Sequence, residues 1–189
     1  MARETSRRPT ATQVLADDAL GLKRYIRDVP DFPVPGIIFR DITPLLQNGA
    51  AFGLAINALA KRHRGALPEA IVAIESRGLI VGSALAHALG VGIVPVRKAG
   101  KLPHKTYQAA YTLEYGQGTL EMHRDGLRRG SRVLLVDDLL ATGGTVEATL
   151  KLIEQCGARV IEAAFLIELT ALKGRDRLVP HPVISLVRY

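Results

Sequence analysis

The chain has 189 residues, of which 48% are hydrophobic and 23% are charged, and its formal net charge is +7. These values are typical of a globular domain and argue against a disordered or a fibrous protein. A chain of this length buries roughly two-thirds of the surface that it exposes when unfolded, so we expect one domain over residues 1–189.

The net charge comes from 25 Lys and Arg residues against 18 Asp and Glu residues. Such an excess of positive charge attracts nucleic acid, an acidic membrane surface or a small polyphosphate. The basic residues between Arg40 and Lys105 are scattered, and they lack the interleaved aromatic residues on which single-stranded nucleic acid stacks. A small anionic ligand bound by several loops is therefore favoured over nucleic acid as the partner.

Two features of the sequence favour a cytoplasmic protein. Residues 1–11 are polar and basic, without the apolar segment of a secretory signal, and we expect them to be disordered. The single cysteine, Cys156, has no partner in the chain for a disulfide, which suits a reducing compartment.

Helix and strand patterns alternate along most of the chain. Apolar residues at helical spacing predict a first helix over residues 12–27, whereas four prolines predict an irregular segment over residues 29–46. The later patterns predict helices at 50–63, 79–89 and 144–156, strands at 70–75, 92–97, 132–137, 159–167 and 182–189, a loop at 98–108 and a hairpin at 109–123. This order favours an α/β fold with a mainly parallel, twisted sheet and helices on both of its faces.

Residues 78–96 carry no formal charge, and the run is about as long as a segment that spans a bilayer. Ser83, His87, Pro95 and several glycines interrupt it. A buried helix that ends near Gly90, followed by a short buried strand, accounts better for this composition. We therefore expect no membrane partner.

Polar residues follow three of the predicted strands. They are the segments Glu75-Ser76-Arg77-Gly78, Arg97-Lys98 and Asp137-Asp138. In a parallel sheet, ligands bind beyond the carboxyl ends of the strands. We therefore expect these three segments to meet at one edge and to form one site.

The stretch RVLLVDDLLATGGTVEA, residues 132–148, joins an aliphatic strand to two acids and a glycine-rich turn. Backbone N–H groups at the start of the next helix can bind a phosphate. Two carboxylates beside a phosphate would repel it, so they must face ribose hydroxyls, a divalent metal, or both. Each feature by itself also has a purely structural interpretation: the turn could be a tight turn with a threonine cap, and an acid could be a solvated charge at the end of a strand. The stretch is neither a P-loop, because no lysine follows the glycines, nor a dinucleotide fingerprint.

As a whole, this stretch resembles the phosphoribosyltransferases, which bind phosphoribosyl pyrophosphate. Six segments resemble, in order and spacing, the type I branch that acts on adenine: DFPVPGIIFRDITPLL, ESRG, RKAGKLPHKT, LEYG, VDDLLATGGT and ELTALKGR. The resemblance runs from about residue 31 to the C-terminus. It implies the type I fold, with a small irregular hood over residues 29–46 that binds the purine and a mobile lid loop over residues 97–108.

The resemblance also implies which residues bind the phosphates and the ribose. Asp137 and Asp138 would bind the ribose hydroxyls. The 5'-phosphate would be held by Ala141, Thr142, Gly143, Gly144 and Thr145. Pyrophosphate would be held by Ser76, Arg77, Arg97, Lys98 and Lys101, with Arg97 reaching across a dimer interface. It further implies a cis peptide bond between Glu75 and Ser76, and Glu75 departs from the aspartate that is usual there; His104 also departs from the usual small residue and receives no role.

For the base, the resemblance implies backbone recognition of adenine by Ile38, with Phe39 and Leu139 on the two faces of the ring and Arg40 nearby. Glu114 would be the acid–base residue near purine N7, and Asp137, Asp138 and Arg77 would complete the catalytic set. Without the resemblance, Phe39 reads as a core residue and Glu114 as a surface carboxylate.

The implied reaction transfers the 5-phosphoribosyl group from phosphoribosyl pyrophosphate to adenine and gives AMP and pyrophosphate. Its implied cofactor is Mg²⁺, held mainly by substrate oxygens and water and not directly by protein ligands, and its implied assembly is a homodimer. Three alternatives remain at this point: a related transferase for another base, a regulator that keeps the phosphate site and binds nucleic acid, and a purely interacting protein.

Overall fold

A computed structural model describes residues 17–113 and 116–189 of the chain. Its strands are β1 (Arg27–Pro30), β2 (Ile38–Asp41), β3 (Ala70–Ile74), β4 (Gly92–Lys98), β5 (Thr106–Leu113), β6 (Gly116–His123), β7 (Arg132–Leu140), β8 (Arg159–Glu168) and β9 (Val183–Arg188). Its α-helices are α1 (Thr43–Gln47), α2 (Gly49–His63), α3 (Arg77–Leu89) and α4 (Gly144–Gln155).

Strands β3 to β9 form a seven-stranded sheet in the order β5-β6-β4-β3-β7-β8-β9. The neighbours from β4 through β3, β7 and β8 to β9 are parallel, whereas β6 is antiparallel to both β4 and β5. The predicted fold class, α/β with a mainly parallel sheet, is confirmed.

Alternate side chains of the central strand β3 point to opposite faces of the sheet and belong to two separate cores. Ile71 and Ala73 pack in the core that contains residues of α2 and α3, while Val72 and Ile74 pack in the core that contains residues of α4. A strand buried on both faces needs apolar residues at every position. The uninterrupted aliphatic run of β3 therefore follows from its central place between two helical layers.

The predicted helix over residues 12–27 is wrong in the part that the structure describes. Residues 17–20 form a turn, a short 3-10 helix spans Lys23–Tyr25, and β1 begins at Arg27. The Asp18 carboxylate accepts hydrogen bonds from the backbone N–H groups of Leu22 and Lys23 at 2.6 and 3.2 Å. Such local side-chain bonds compete with a helix, and Gly21 has a positive φ of 64° that a helix excludes.

The hood is more regular than its prolines suggest. β1 and β2 pair as an antiparallel ribbon, and α1 follows with Pro44 in its first turn, where a missing N–H is tolerated. The prediction of an entirely irregular segment over residues 29–46 is therefore wrong for β2 and α1. The Phe32–Pro33 peptide bond within the hood is cis.

The remaining predicted elements match with shifted boundaries. The charge-free run at residues 78–96 divides into α3 and β4, as predicted, and α3 ends at Gly90 in the left-handed conformation. The predicted hairpin begins at Thr106 and not at residue 109, because β5 pairs with β6 along its whole length. None of the described helices is long and apolar enough to cross a membrane.

Gly82 sets how closely α3 packs on β3. A Cβ at this position would lie 2.5 Å from the Ala73 Cβ, whereas a Cβ at Gly53 of α2 would meet nothing within 4 Å. We predict that Gly82→Ala lowers the free energy of unfolding by about 1 to 2 kcal/mol through overpacking, while Gly53→Ala raises it by about 0.5 kcal/mol through its better helix propensity. Urea unfolding of both variants tests this, and equal signs for the two would contradict the packing argument.

Candidate active site

The ends of β3 and β7 bring two of the predicted polar segments together. β3 and β7 are hydrogen-bonded neighbours, so Arg77 at the start of α3 faces the acids at the end of β7. Arg77 Nε lies 2.7 Å from Asp138 Oδ2, within ion-pair distance but without the alignment of a hydrogen bond. The expected meeting of these segments is therefore present in the structure.

The backbone at Gly78 touches the acid pair directly. A Cβ on Gly78 would lie 2.5 Å from Asp137 Oδ1 and 3.0 Å from the Asp137 Cα. Any side chain at residue 78 would push the start of α3 away from β7. The glycine of the ESRG segment thus lets α3 begin against Asp137.

The two acids are not free surface charges. Asp138 is only 6% exposed, and its backbone N–H donates to Asp137 Oδ1 at 2.8 Å. Burial and the neighbouring Asp138 carboxylate raise the pKa of Asp137 well above its ordinary value of 3.8, against the opposing charge of Arg77. The pair resists carrying two negative charges until a ligand supplies hydroxyl donors or positive charge.

The glycine-rich turn after β7 forms a cradle of backbone donors. Gly143 precedes α4 with a φ of 83°, and no side chain caps the start of that helix. The first N–H groups of a helix have no partner within it, and the helix dipole makes this end positive. Thr142 and Thr145 are half-buried at the turn, so their hydroxyls can add donors to an anion held there.

The backbone at Gly174 packs behind this cradle. A Cβ on Gly174 would lie 2.1 Å from the Ala141 carbonyl oxygen, and one on Gly143 would lie 2.7 Å from the Gly174 carbonyl oxygen. The segment around Gly174 resembles the family, but none of its residues is predicted to belong to the site. The only sequence signal for this contact is a glycine after Lys173, which could not indicate its distant partner.

The hood meets the strand-end site through Phe39. The Arg77 guanidinium lies 4.8 Å from the centre of the Phe39 ring, and Phe32 packs edge-on against the same ring at 5.1 Å. Ile38 is 51% exposed beside it, and Leu139 packs half-buried against the core that contains α2 and α3. The arrangement places the Phe39 ring beside Arg77, which in turn lies against Asp138.

The side chain of Arg40 is used within the fold. It forms an ion pair with Asp28 across the hood ribbon, and its guanidinium stacks 3.9 Å from the centre of the Tyr189 ring. These contacts fasten the hood to the end of the chain. A role of Arg40 in adenine binding stays a prediction.

Glu75 occupies the centre of a cluster that sequence reasoning did not predict. Its carboxylate accepts hydrogen bonds from Arg97 Nε at 2.7 Å and Lys101 Nζ at 2.6 Å, both within the same chain. Lys98 follows as an exposed residue at the end of β4. The Glu75–Ser76 peptide bond is cis, as the resemblance implies.

Two further predictions concern the acid–base residue and the metal. Glu114 lies outside the described residues, so its acid–base role stays a prediction. Within residues 17–113 and 116–189, no group of three or more His, Cys, Asp or Glu side chains could hold a metal ion by itself.

Comparisons with known proteins agree with this geometry. The family model of the phosphoribosyl transferase domain matches residues 43–185. A curated adenine phosphoribosyltransferase from Roseiflexus sp. (strain RS-1) is 58% identical over 168 residues, covering 89% of this chain and 98% of the relative. The chain belongs to the adenine phosphoribosyltransferase family.

Solved structures of family members share the fold. The adenine phosphoribosyltransferase from Thermoanaerobacter pseudethanolicus is 50% identical and superposes with a TM-score of 0.87, covering 89% of this chain and 98% of that chain. The Saccharomyces cerevisiae protein is 42% identical with a TM-score of 0.85 and coverages of 89% and 98%. That protein was crystallised with adenine and D-2,5-dideoxy-2,5-imino-altritol 1,6-bisphosphate. The type I fold implied by the resemblance is confirmed.

The raised pKa of Asp137 predicts a stability change with a definite pH dependence. Above pH 3.8 the folded wild-type protein holds a proton that the unfolded chain releases, so stability falls as pH rises towards the raised pKa. Asp137→Asn removes this loss while keeping the oxygen that Asp138 N–H donates to. We expect the variant to be more stable than wild type at neutral pH, with the difference in stability closing below pH 3.8.

Urea unfolding in steps of about one pH unit, from about pH 3 to about pH 8, measures the difference in free energy of unfolding between the variant and wild type. Asp138→Asn is the matched control, because it leaves the Arg77 guanidinium without its buried partner and should destabilise the protein. A less stable Asp137→Asn variant at neutral pH would show that the two acids do not repel each other in the fold.

Proposed function

We propose that this chain transfers the 5-phosphoribosyl group from phosphoribosyl pyrophosphate to adenine, giving AMP and pyrophosphate. The observation that carries the proposal is the arrangement at the end of β7. There β7 carries an acid pair, one member of which lies 2.7 Å from the Arg77 guanidinium, and the turn after the strand leads into a helix start that no side chain caps. The family membership and the relatives' names support it independently.

The substrate's three parts find matching chemistry along this edge. The 5'-phosphate is proposed to bind the backbone N–H groups and hydroxyls of residues 141–145, which need no positive side chain. Asp137 and Asp138 accept hydrogen bonds from the ribose hydroxyls, which relieves the repulsion between them. Ser76 and Arg77, with Arg97, Lys98 and Lys101 from the lid loop, are proposed to bind the pyrophosphate.

The reaction breaks the bond between ribose C1 and the pyrophosphate oxygen and forms a bond from C1 to adenine N9. Positive charge develops on the ribose while negative charge grows on the leaving pyrophosphate. Asp137 and Asp138 are proposed to stabilise the positive charge on the ribose, and Arg77 is proposed to stabilise the negative charge on the leaving pyrophosphate. Adenine that carries its imidazole proton on N7 can attack through N9, and Glu114 is proposed to accept that N7 proton as the C1–N9 bond forms.

The base site is proposed to lie between the hood and β7. The backbone N–H and C=O of Ile38 match the donor and acceptor edge of adenine. Phe39 and Leu139 would enclose the ring, and Phe39 is held by its contacts with Arg77 and Phe32. A pre-formed slot of this kind lowers the entropy lost on binding.

The expected cofactor is Mg²⁺, and the donor set fits it. The Asp137–Asp138 pair is proposed to hold the ribose hydroxyls, so Mg²⁺ would be held mainly by substrate oxygens and water, which suit a hard cation. When bound, Mg²⁺ would neutralise charge on the pyrophosphate and ribose oxygens. Homodimer formation and a cytoplasmic location are proposed on the resemblance and on the lone Cys156.

A panel of bases tests the proposed function. The purified chain is given phosphoribosyl pyrophosphate, Mg²⁺ and each of adenine, hypoxanthine, guanine, xanthine and orotate, and nucleotide formation is followed. We expect AMP from adenine at a rate at least about a hundredfold above that with the other bases, and loss of activity with a chelator. Faster turnover of another base would contradict the adenine assignment.

The same assay separates the enzyme from its alternatives. Asp137→Asn combined with Asp138→Asn should lower kcat/KM by at least about a hundredfold while the fold survives. A chain that binds no phosphoribosyl pyrophosphate, or one that binds duplex DNA in a salt-sensitive way, would favour an interacting protein or a regulator.

A second prediction concerns Glu114. Glu114→Gln keeps the shape of the side chain but cannot accept a proton, so kcat should fall by about ten- to a thousandfold while the KM for adenine changes little. The pH–rate profile should lose the limb that reports this carboxylate. An unchanged kcat and an unchanged profile would remove Glu114 from the mechanism.

A further inference from the structure

We propose that Glu75 is a positioning residue that competes with pyrophosphate for the cations of the lid loop. The proposal rests on the proposed function, since Arg97 and Lys101 are the cations expected to bind pyrophosphate. In the structure both of them are held by the Glu75 carboxylate, one on each oxygen. Glu75 therefore stands where it would have to release them before a phosphate could take its place.

The contacts around Glu75 are close and mutually supporting. The Glu75 side chain is 7% exposed, while those of Arg97 and Lys101 are 35% and 48% exposed. Arg97 also donates to the Lys101 carbonyl oxygen at 3.1 Å, so the two cations are held as a unit. The carboxylate is the buried end of the cluster, and the cations form its accessible side.

A different carboxylate holds the backbone of the same loop. Glu121 on β6 is 3% exposed, and it accepts hydrogen bonds from the N–H groups of Lys101 and Leu102 at 3.0 and 2.9 Å. The Thr106 hydroxyl donates to its other oxygen at 3.3 Å. Losing the Glu75 contacts would thus free the two cationic side chains without releasing the loop backbone.

Charge favours an exchange of partners at this position. Glu75 sits directly before Ser76 and Arg77, the segment proposed to hold pyrophosphate, and its carboxylate holds both lid-loop cations that are proposed to bind that anion. Burial alone would raise the pKa of Glu75, but Lys101 and Arg97 outweigh it and hold the pKa below the ordinary value of 4.5. Glu75 is therefore ionised at neutral pH and offers one negative charge, whereas pyrophosphate offers several.

Two consequences follow for the reaction. Binding of phosphoribosyl pyrophosphate must break the Glu75 contacts, so its apparent affinity is lowered by their free energy. Departure of pyrophosphate is helped, because Glu75 recaptures Arg97 and Lys101 as the product leaves. Glu75 would thus weaken the binding of phosphoribosyl pyrophosphate and speed the release of pyrophosphate.

The test compares pyrophosphate binding to the wild-type chain and to Glu75→Gln. Ion pairs with partly exposed cations are weak, so we expect pyrophosphate to bind about three- to tenfold more tightly to the variant. Its release, followed by stopped flow, should slow by a similar factor. Glu154→Gln, an equal charge change at an exposed position of α4, should leave both quantities within about twofold of wild type.

A double-mutant cycle separates competition from a general charge effect. When Arg97 and Lys101 are both replaced by Met, Glu75→Gln should no longer tighten pyrophosphate binding, because the contested cations are gone. A gain of the same size in that background would overturn the proposal. Weaker pyrophosphate binding by Glu75→Gln would also overturn the proposal, because it would show that Glu75 has a structural role.

The outcomes also separate this proposal from the proposed function. If the wild-type chain makes AMP but Glu75→Gln binds pyrophosphate as wild type does, only the competition is wrong. If the wild-type chain binds neither pyrophosphate nor phosphoribosyl pyrophosphate, the proposed function fails, and this proposal fails with it. Urea unfolding of each variant shows that the compared proteins are folded.

Discussion

The close approach of two carboxylates at the end of β7 is the constraint on which the site depends. Asp137 and Asp138 are adjacent in the chain, and burial makes their joint ionisation unfavourable. Arg77 offsets part of this repulsion from the start of α3. The apolar layers on both faces of β3 and β7 supply the free energy that holds the pair in place. Their packing fixes the two strands regardless of the charged residues near the strand ends.

Three glycines allow the backbone to come as close as this site requires. Gly78 lets α3 begin against Asp137, while Gly143 and Gly174 let the turn after β7 pack on the segment that follows β8. Each contact is shorter than a side-chain carbon would allow. The glycine-rich look of the motif therefore has two physical causes: room for a phosphate in front of the turn, and close packing of protein backbone behind it.

Local patterns were enough to predict the sheet, its helices and the edge at which the polar segments meet, because aliphatic runs and helix starts are properties of neighbouring residues. They were misleading at the N-terminus, where Gly21 and the Asp18 carboxylate break a periodic pattern that otherwise looks helical. The partners of Glu75 and Glu121 could not be predicted in this way. They join β3, β4 and β6 across long stretches of chain, and no spacing in the sequence indicates such a contact. The family resemblance supplied residue roles that spacing alone did not, and Glu114 still depends on it.

Three cations of this site have carboxylate partners before any ligand arrives: Arg77 has Asp138, and Arg97 and Lys101 share Glu75. Binding of an anionic substrate is then an exchange of partners, and the measured affinity is the difference between two sets of contacts. Removing Arg77 also removes the pair with Asp138 that the substrate would have to break, so the loss of binding free energy in an Arg77→Ala variant is smaller than the contribution of the Arg77 contact in the bound state. The same variant leaves the buried Asp138 carboxylate unpaired, which lowers the free energy of unfolding. Removing a cation in a background that already lacks its carboxylate measures what the cation contributes to binding.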